Sequence, residues 1–489
     1  MNTSFLRFAL SVFGALLVLL ARPAFAQTWN VDSASTWSTG TNWSGNVTPN
    51  AEGAAVVLGN VILANQAISV NGNFTVGSIL FDDNNNYTLA ATTGNAITLN
   101  ATGNSTANIT VTNAGGNHTI SSNLIFSGDP VEISVDSTGA GSTPLTLSGN
   151  LTGAGNLTKS GIGNVTLSGA NNAFTGSIFL TGGLVRINAD ARLGDLSNAV
   201  TMNGGGLNFT ANTTSNRSYT IGALGGTFDV NTGCVTTLGN TSVLSGSGSI
   251  AKTNGNGSLV INSANNTYNG TITVNNGSVT LNATQSVNGS VSAAAAGTTI
   301  NYNANGAAGS GTVAAAAANS EIIFGAGVSS LGNGSFSVSS GAALVGNAAQ
   351  FGLLNRNTNL SLAAGAILAG NQDGANLAVQ NLGTNRDLFF GVTGSYAQTG
   401  NTIFVGSILG ATPWRGISTG ISSNGTLLTA NITGLSNFVL QGANGRVLTL
   451  GNGASAGGIT MNASAPVSVS VIGAVVLNDD SNSFTNITF

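Results

Sequence analysis

Charge is the first thing missing from this sequence. Its 489 residues carry 11 Lys and Arg and 15 Asp and Glu, 5% of the chain, where an ordinary soluble domain has roughly 25%. No basic run could neutralise several phosphates or settle on an anionic lipid surface, so nucleic acid is excluded as a natural partner. A single cysteine, Cys234, and a single histidine, His118, exclude a disulfide framework, a zinc site of the usual Cys/His kind and, unless His118 serves, a histidine-based triad. No cofactor is expected. Helical signals are almost absent: charged i,i+4 pairs are missing, and no long amphipathic stretch stands beyond the N-terminus. Beyond that terminus no hydrophobic run is long enough to span a bilayer. What the chain has instead is 70 glycines, many Asn, Ser and Thr, and 42% hydrophobic residues. That much apolar content can bury a long core and argues against disorder.

Residues 1–26 have the pattern of a secretory leader. Arg7 supplies a positive n-region, Phe8 to Leu20 is apolar but for Ser11, and Ala24-Phe25-Ala26 offers small residues at the cleavage site. Cleavage is expected between Ala26 and Gln27. Removing Arg7 and Arg22 leaves 9 basic against 15 acidic groups, net −6. A lone thiol suits an exported protein, because it cannot form an internal disulfide.

The remaining region, 27–489, repeats itself. Leu151-Thr-Gly-Ala-Gly-Asn-Leu-Thr-Lys159 aligns with Leu244-Ser-Gly-Ser-Gly-Ser-Ile-Ala-Lys252 at an offset of 93. After one inserted residue, Asn171-Asn172-Ala-Phe174-Thr-Gly176 aligns with Asn265-Asn266-Thr-Tyr268-Asn-Gly270 at an offset of 94. The copies run over 151–187 and 244–281, and a third, truncated one lies at 475–489. Apolar residues alternate within each copy, as in Val165-Thr-Leu167, which is strand periodicity. Gly and Asn, which tolerate positive φ, mark the turns. The Ala-rich run Val313 to Asn319 reads as a small-residue strand.

A long series of short strands permits stacked sandwiches, a closed barrel or a parallel β-solenoid. Sandwiches want regular aromatic anchors and charged outer faces; a membrane barrel wants strands of about 9–11 residues and aromatic girdles. A solenoid needs neither, because stacked coils share one apolar column and align Asn or Thr in ladders. With Gly-x-Gly, Leu-x-Lys, Leu-Ser-Gly and Asn-x-Phe/Tyr-x-Gly all present in 151–184, the sequence resembles the autotransporter-associated β-strand repeat of bacterial passenger domains. The opening Trp37-Ser-Thr-Gly-Thr-Asn-Trp43 is similar to the first rungs of such proteins. That resemblance implies an all-β, right-handed parallel β-helix carried to the cell surface, with no activity attached to the repeat itself. No translocator barrel follows Phe489, and the third copy stops midway, so a fragment or another export route is expected.

Few residues offer chemistry. Arg186, Asp190, Arg192 and Asp195 form the densest charged stretch; carboxylates with an arginine beside them could serve a polysaccharide lyase or hydrolase, but the matching 282–285 of the second copy has no charge, as in a tolerant polar loop. Asp82-Asp83 and Asp479-Asp480 read as solvated turns rather than calcium ligands. His118 reads as a turn residue and Cys234 as a small strand residue. Lys159 and Lys252 recur with Phe174, Gly176, Tyr268 and Gly270 as repeat-defining positions; the lysines are expected at strand edges, where charge prevents sheets from pairing. Trp29, Trp37 and Trp43 either cap the open end of the core or stack on sugars. The reading that emerges is a non-enzymatic, exported surface or secreted rod for adhesion, aggregation or display, its partners surface glycans, cell surfaces or its own copies. The rivals are a carbohydrate-active enzyme and a sugar-binding module.

Overall fold

Every strand of the computed structural model pairs in parallel with the strand one coil away. The structure describes residues 26–350, with breaks at 93, 113–115, 138–143, 265, 340 and 347–349, and beyond these the backbone of strands from Leu360–Leu362 to Ser483–Thr488. Of the leader only Ala26 is among the described residues, exposed ahead of the first strand, Gln27–Thr28. Of the truncated third copy only the strand backbones are described.

One early coil shows the plan. Ala55–Leu58, Gln66–Val70 and Phe74–Val76 follow one another around the axis, and Ser78–Phe81 returns to lie on Ala55–Leu58. Strands in the first place of each coil stack into a ten-stranded sheet and those in the second into one of fifteen. The third place holds a four-stranded sheet ending at Leu151–Ala154 and an eight-stranded one starting at Thr213–Ser215. The result is a β-solenoid of about twelve turns. Among the described residues no helix is long and apolar enough to cross a membrane.

Alternation builds the core. In Ser278–Leu281, Ser290–Ala293 and Thr299–Tyr302 the Ser, Thr and Asn side chains point out and the Val, Ile, Leu, Ala and Tyr side chains point in. Thr312–Ala315 in the Ala-rich run follows the same rule, as its sequence predicts. The inward residues form one continuous cluster from Trp29 to Leu344. Its N-terminal end is closed by Trp29, Trp37 and Trp43, each at 0% exposure. Their rings meet edge-on, 5.0 Å (Trp29–Trp43) and 4.9 Å (Trp37–Trp43) apart, and their indole N–H groups donate to the carbonyls of Val31, Pro49 and Trp37. No ring face is left for a sugar; these residues are the cap.

Corners explain the asparagine. Where the chain leaves a strand its N–H groups lose their ladder partners, and a short side-chain amide from the coil below supplies an acceptor. Asn156, Asn164, Asn203 and Asn212 accept in this way from the N–H groups of Ser177, Leu184, Leu224 and Val235, at 2.8–2.9 Å.

The two repeat copies do not stack on each other. In the first, Leu151–Ala154, Leu157–Ser160 and Val165–Leu167 occupy the third, first and second places; in the second, Val243–Gly246, Ile250–Thr253 and Ser258–Ile261 occupy the first, second and third. The motif has moved on by one face. In both copies the next place is filled by a non-strand arm. Asn172 accepts from Leu151 N–H at 2.8 Å and donates to Arg192 O at 2.7 Å. Asn266 accepts from Leu244 N–H at 2.8 Å and donates to Ser286 O at 2.7 Å. Phe174 and Tyr268 plug the core from these arms. Gly176 and Gly270 follow because a Cβ there would strike the carbonyls of Gly155 and Gly248. Asn172→Ala or Asn266→Ala, each leaving a buried N–H unpaired, is expected to cost about 1–2 kcal/mol. Faster hydrogen exchange at Leu151 or Leu244 would register it; unchanged protection would refute the role.

Candidate functional site

The charged stretch is braced from outside by a buried arginine. Asp190 lies on a short 3-10 turn, Asp190–Leu193, and pairs with Arg217 at 3.0 Å. Arg217 is 1% exposed. Its guanidinium also donates to the carbonyls of Asp190, Asp195, Gly194 and Asn198, so one cation holds the whole arm that stands in for a strand. The other charges diverge from it: Arg192 donates to Gly169 O (2.7 Å) and Asn188, and Asp195 accepts from Ser197, which lowers its pKa. Arg186 lies on the strand Leu184–Ile187. Sequence reading missed Arg217, which stands outside the stretch it organises.

Lys159 and Lys252 do not guard edges. The strands that carry them, Leu157–Ser160 and Ile250–Thr253, are paired on both sides, and both lysines occupy inward positions, 1% and 0% exposed. A solenoid strand has no free edge away from the ends of the stack, so the expectation fails on topology. Lys159 Nζ donates to Ser160 O, to Gly161 O and, one coil on, to Gly182 O. Lys252 donates to the corresponding Thr253 O and Asn276 O, both at 3.0 Å. Burial lowers the pKa of each to about 8.

His118 is a strand residue and not a turn. It opens His118–Ile120, is 1% exposed, stacks on Phe81 at 4.7 Å, and accepts the Tyr87 N–H on Nδ1 at 3.2 Å. Burial lowers its pKa to about 4, against the upward pull of Asp83. The folded pKa lies below the unfolded one, so the unfolded chain binds the proton first and stability falls as pH drops below about 6.5. The expected loss is about 2 kcal/mol by pH 5. Thermal melts from pH 7 to 5 should show this step in the wild type and lack it in His118→Gln. Asp82 is a solvated turn residue, but Asp83 is buried, accepting from Asn85 N–H at 2.8 Å. Asp479 and Asp480 lie outside the described residues. Cys234 sits half-buried just ahead of the strand Val235–Leu238. Among the described residues no group of three His, Cys, Asp or Glu is placed to hold a metal ion.

A polar groove remains, of about 460 Å³, on the outside of the second-place sheet. Arg186, Asn208, Asp229 and Thr253 are register partners on four successive coils. Arg186 Nε donates to Asn208 Oδ1 at 3.1 Å, and Asn208 Nδ2 donates to the Asp229 carboxylate and to Asn231 Oδ1 (2.9 Å). Asn254 donates to Asp229 and Asn231, each at 2.8 Å, and Thr253 donates to Asp229 at 3.1 Å. Asn254 reaches them from a left-handed turn, φ 67°. The groove is therefore a pre-ordered ladder of amides and hydroxyls with one cation and one carboxylate along it. Sequence reading named only Arg186 of this set. Its signal is recurrence at the coil interval, which the 93-residue offset hides.

No family model matches the chain, and no solved structure matches it. It is similar to the adhesin BmaC autotransporter of Brucella suis biovar 1 (strain 1330), 36% identical over 142 residues. The aligned stretch is 29% of this chain and spans 4% of the length of that relative.

Proposed function

We propose that this chain, an autotransporter passenger-like β-solenoid, is an exported, non-enzymatic adhesion module displayed at the cell surface or released from it. One observation carries the reading: the charged groups at the groove and the arm are already committed to holding coils together. Asp229, the one carboxylate lining the groove, accepts from Asn208, Asn254 and Thr253, whereas glycoside hydrolysis ordinarily needs two carboxyl groups set about 5–9.5 Å apart across the bond. Asp190 is likewise engaged by Arg217. What faces outward is a repeated row of neutral donors and acceptors, which binds weakly at each rung and gains strength by repetition. The similarity to an adhesin autotransporter supports the same reading.

Beads coated with the purified protein should attach to cell surfaces, with attachment falling in steps as coils are deleted. Incubation with plant, algal and bacterial polysaccharides should release no reducing ends or unsaturated products. Turnover abolished by Asp229→Asn or Asp190→Asn in a protein that still folds would establish an enzyme and defeat the proposal.

A further inference from the structure

We infer that Asn276, followed by Gly277 in the turn that rests on Lys252, is a site of spontaneous modification, where the folded chain converts its own asparagine side chain into a carboxylate. The inference is independent of the adhesion reading. Gly277 N gives its proton to hydroxide and attacks the Asn276 side-chain carbon, whose nitrogen takes up a proton from water and leaves as ammonia. Water then opens the resulting succinimide to aspartate or isoaspartate. The balance is one water consumed and one ammonia released. Three conditions favour the reaction: a side-chain amide that no hydrogen bond holds, a glycine N–H open to base, and stabilisation of the charge that develops on the ionising peptide.

Asn-Gly recurs along this chain, and the fold disarms most copies. Among the described residues, Asn71 spends its amide on Ser38, and Asn254 on Asp229 and Asn231. Asn203, Asn288 and Asn305 are also held by side-chain bonds, and the glycines after them donate their N–H groups to the carbonyls of Gly225, Tyr268 and Ser330. At Asn256, Asn269, Asn276 and Asn333 the side chain is exposed and makes no hydrogen bond. Gly257, Gly270 and Gly334 are buried, which keeps base from the amide proton, whereas Gly277 is partly exposed. Lys252 completes the set. Its Nζ donates to Asn276 O at 3.0 Å, the oxygen that shares the charge when the Gly277 N–H ionises, so the ammonium stabilises the anion as an oxyanion hole does. Burial lowers the lysine's pKa to about 8 against the upward pull of Asp229, which leaves it mostly charged at neutral pH. In the first copy Lys159 donates to Gly182 O at the matching position, and a glycine there has no amide to lose. Isoaspartate at 276 would lengthen the backbone at the contact that ties this turn to Lys252 and add a carboxylate to a chain with few charges.

The test is to age the purified chain at neutral pH and follow each Asn-Gly by peptide mass spectrometry, with fragmentation that separates isoaspartate from aspartate. Asn256, Asn276 and Asn333 share the local sequence Asn-Gly-Ser, so the unfolded chain in urea should deamidate them at equal rates. In the folded chain Asn276 is expected to react about tenfold faster than the other two and than Asn269. Lys252→Met should slow Asn276 about tenfold and leave Asn256 unchanged. A lysine that only steadies the turn gives the opposite sign, because a loosened turn deamidates faster. If that variant does not fold, the wild type carries the test: the ratio of the 276 rate to the 256 rate should fall as pH rises through about 8, where Lys252 loses its proton. Equal rates at 276 and 256 in the folded chain, the same preference in urea, an unchanged or faster reaction in folded Lys252→Met, or a ratio indifferent to pH overturns the inference.

Discussion

Replacing Arg217 by methionine is expected to cost about 3–5 kcal/mol, because it leaves the Asp190 carboxylate and several arm carbonyls facing a cavity without their cation. The damage should be local. In a stack where each coil touches only its neighbours, stability is a sum of coil and interface terms. Hydrogen exchange should therefore rise at 189–198 and in the coils on either side while the tryptophan-capped end keeps its protection. Limited proteolysis should open the same segment first. If Arg217→Met melts like the wild type, the brace is not what holds the arm.

The second large effect belongs to the buried lysines. Lys159→Ala and Lys252→Ala should each destabilise by about 2–4 kcal/mol, since truncation removes a packed stem and strips the ammonium from carbonyls of two turns at once. A surface edge charge would cost almost nothing to remove, so thermal melts separate the two roles. A pH signature accompanies the loss. Each folded pKa, about 8, lies below the unfolded value of about 10.4. Between these values the unfolded chain holds more protons, so wild-type stability should rise from pH 8 toward pH 10. Both alanine variants should lose their share of that rise. Lys→Met should lose it too while keeping most of the packing.

Much of the fold is written in local pattern. Alternation such as Ser-Val-Thr-Leu at 278–281 predicts a strand with one buried face, and that is what forms. The tryptophans at 29, 37 and 43 are readable as a cap because a solenoid core must end somewhere. The lysine positions were visible as a recurrence, and period two puts each on the same face as the buried Leu157 or Ile250 two residues before it; what hid their side was the ordinary preference of a charged side chain for water. Arg217 was harder still. Its partners lie from Asp190 to Asn198, a coil away, and nothing in its immediate sequence marks it. The groove was hidden for the same reason, since Arg186, Asn208 and Asp229 become neighbours only when coils of unequal length are brought into register.

The one-place advance between the two repeat copies sets their plugged arms on different faces of the stack. A duplication that inserted a whole number of coils would set its plugged arms in a single line, like teeth on a comb. Here Asn172-Ala-Phe174 occupies the third place and Asn266-Thr-Tyr268 the first, so successive arms wind about the axis as treads do on a spiral stair. Each plug therefore seals the core from a different side, and the seam it closes lies at a different azimuth. Lengthening such a chain by further copies would distribute these seams around the circumference, so that no single face of the stack would carry all of its non-strand segments.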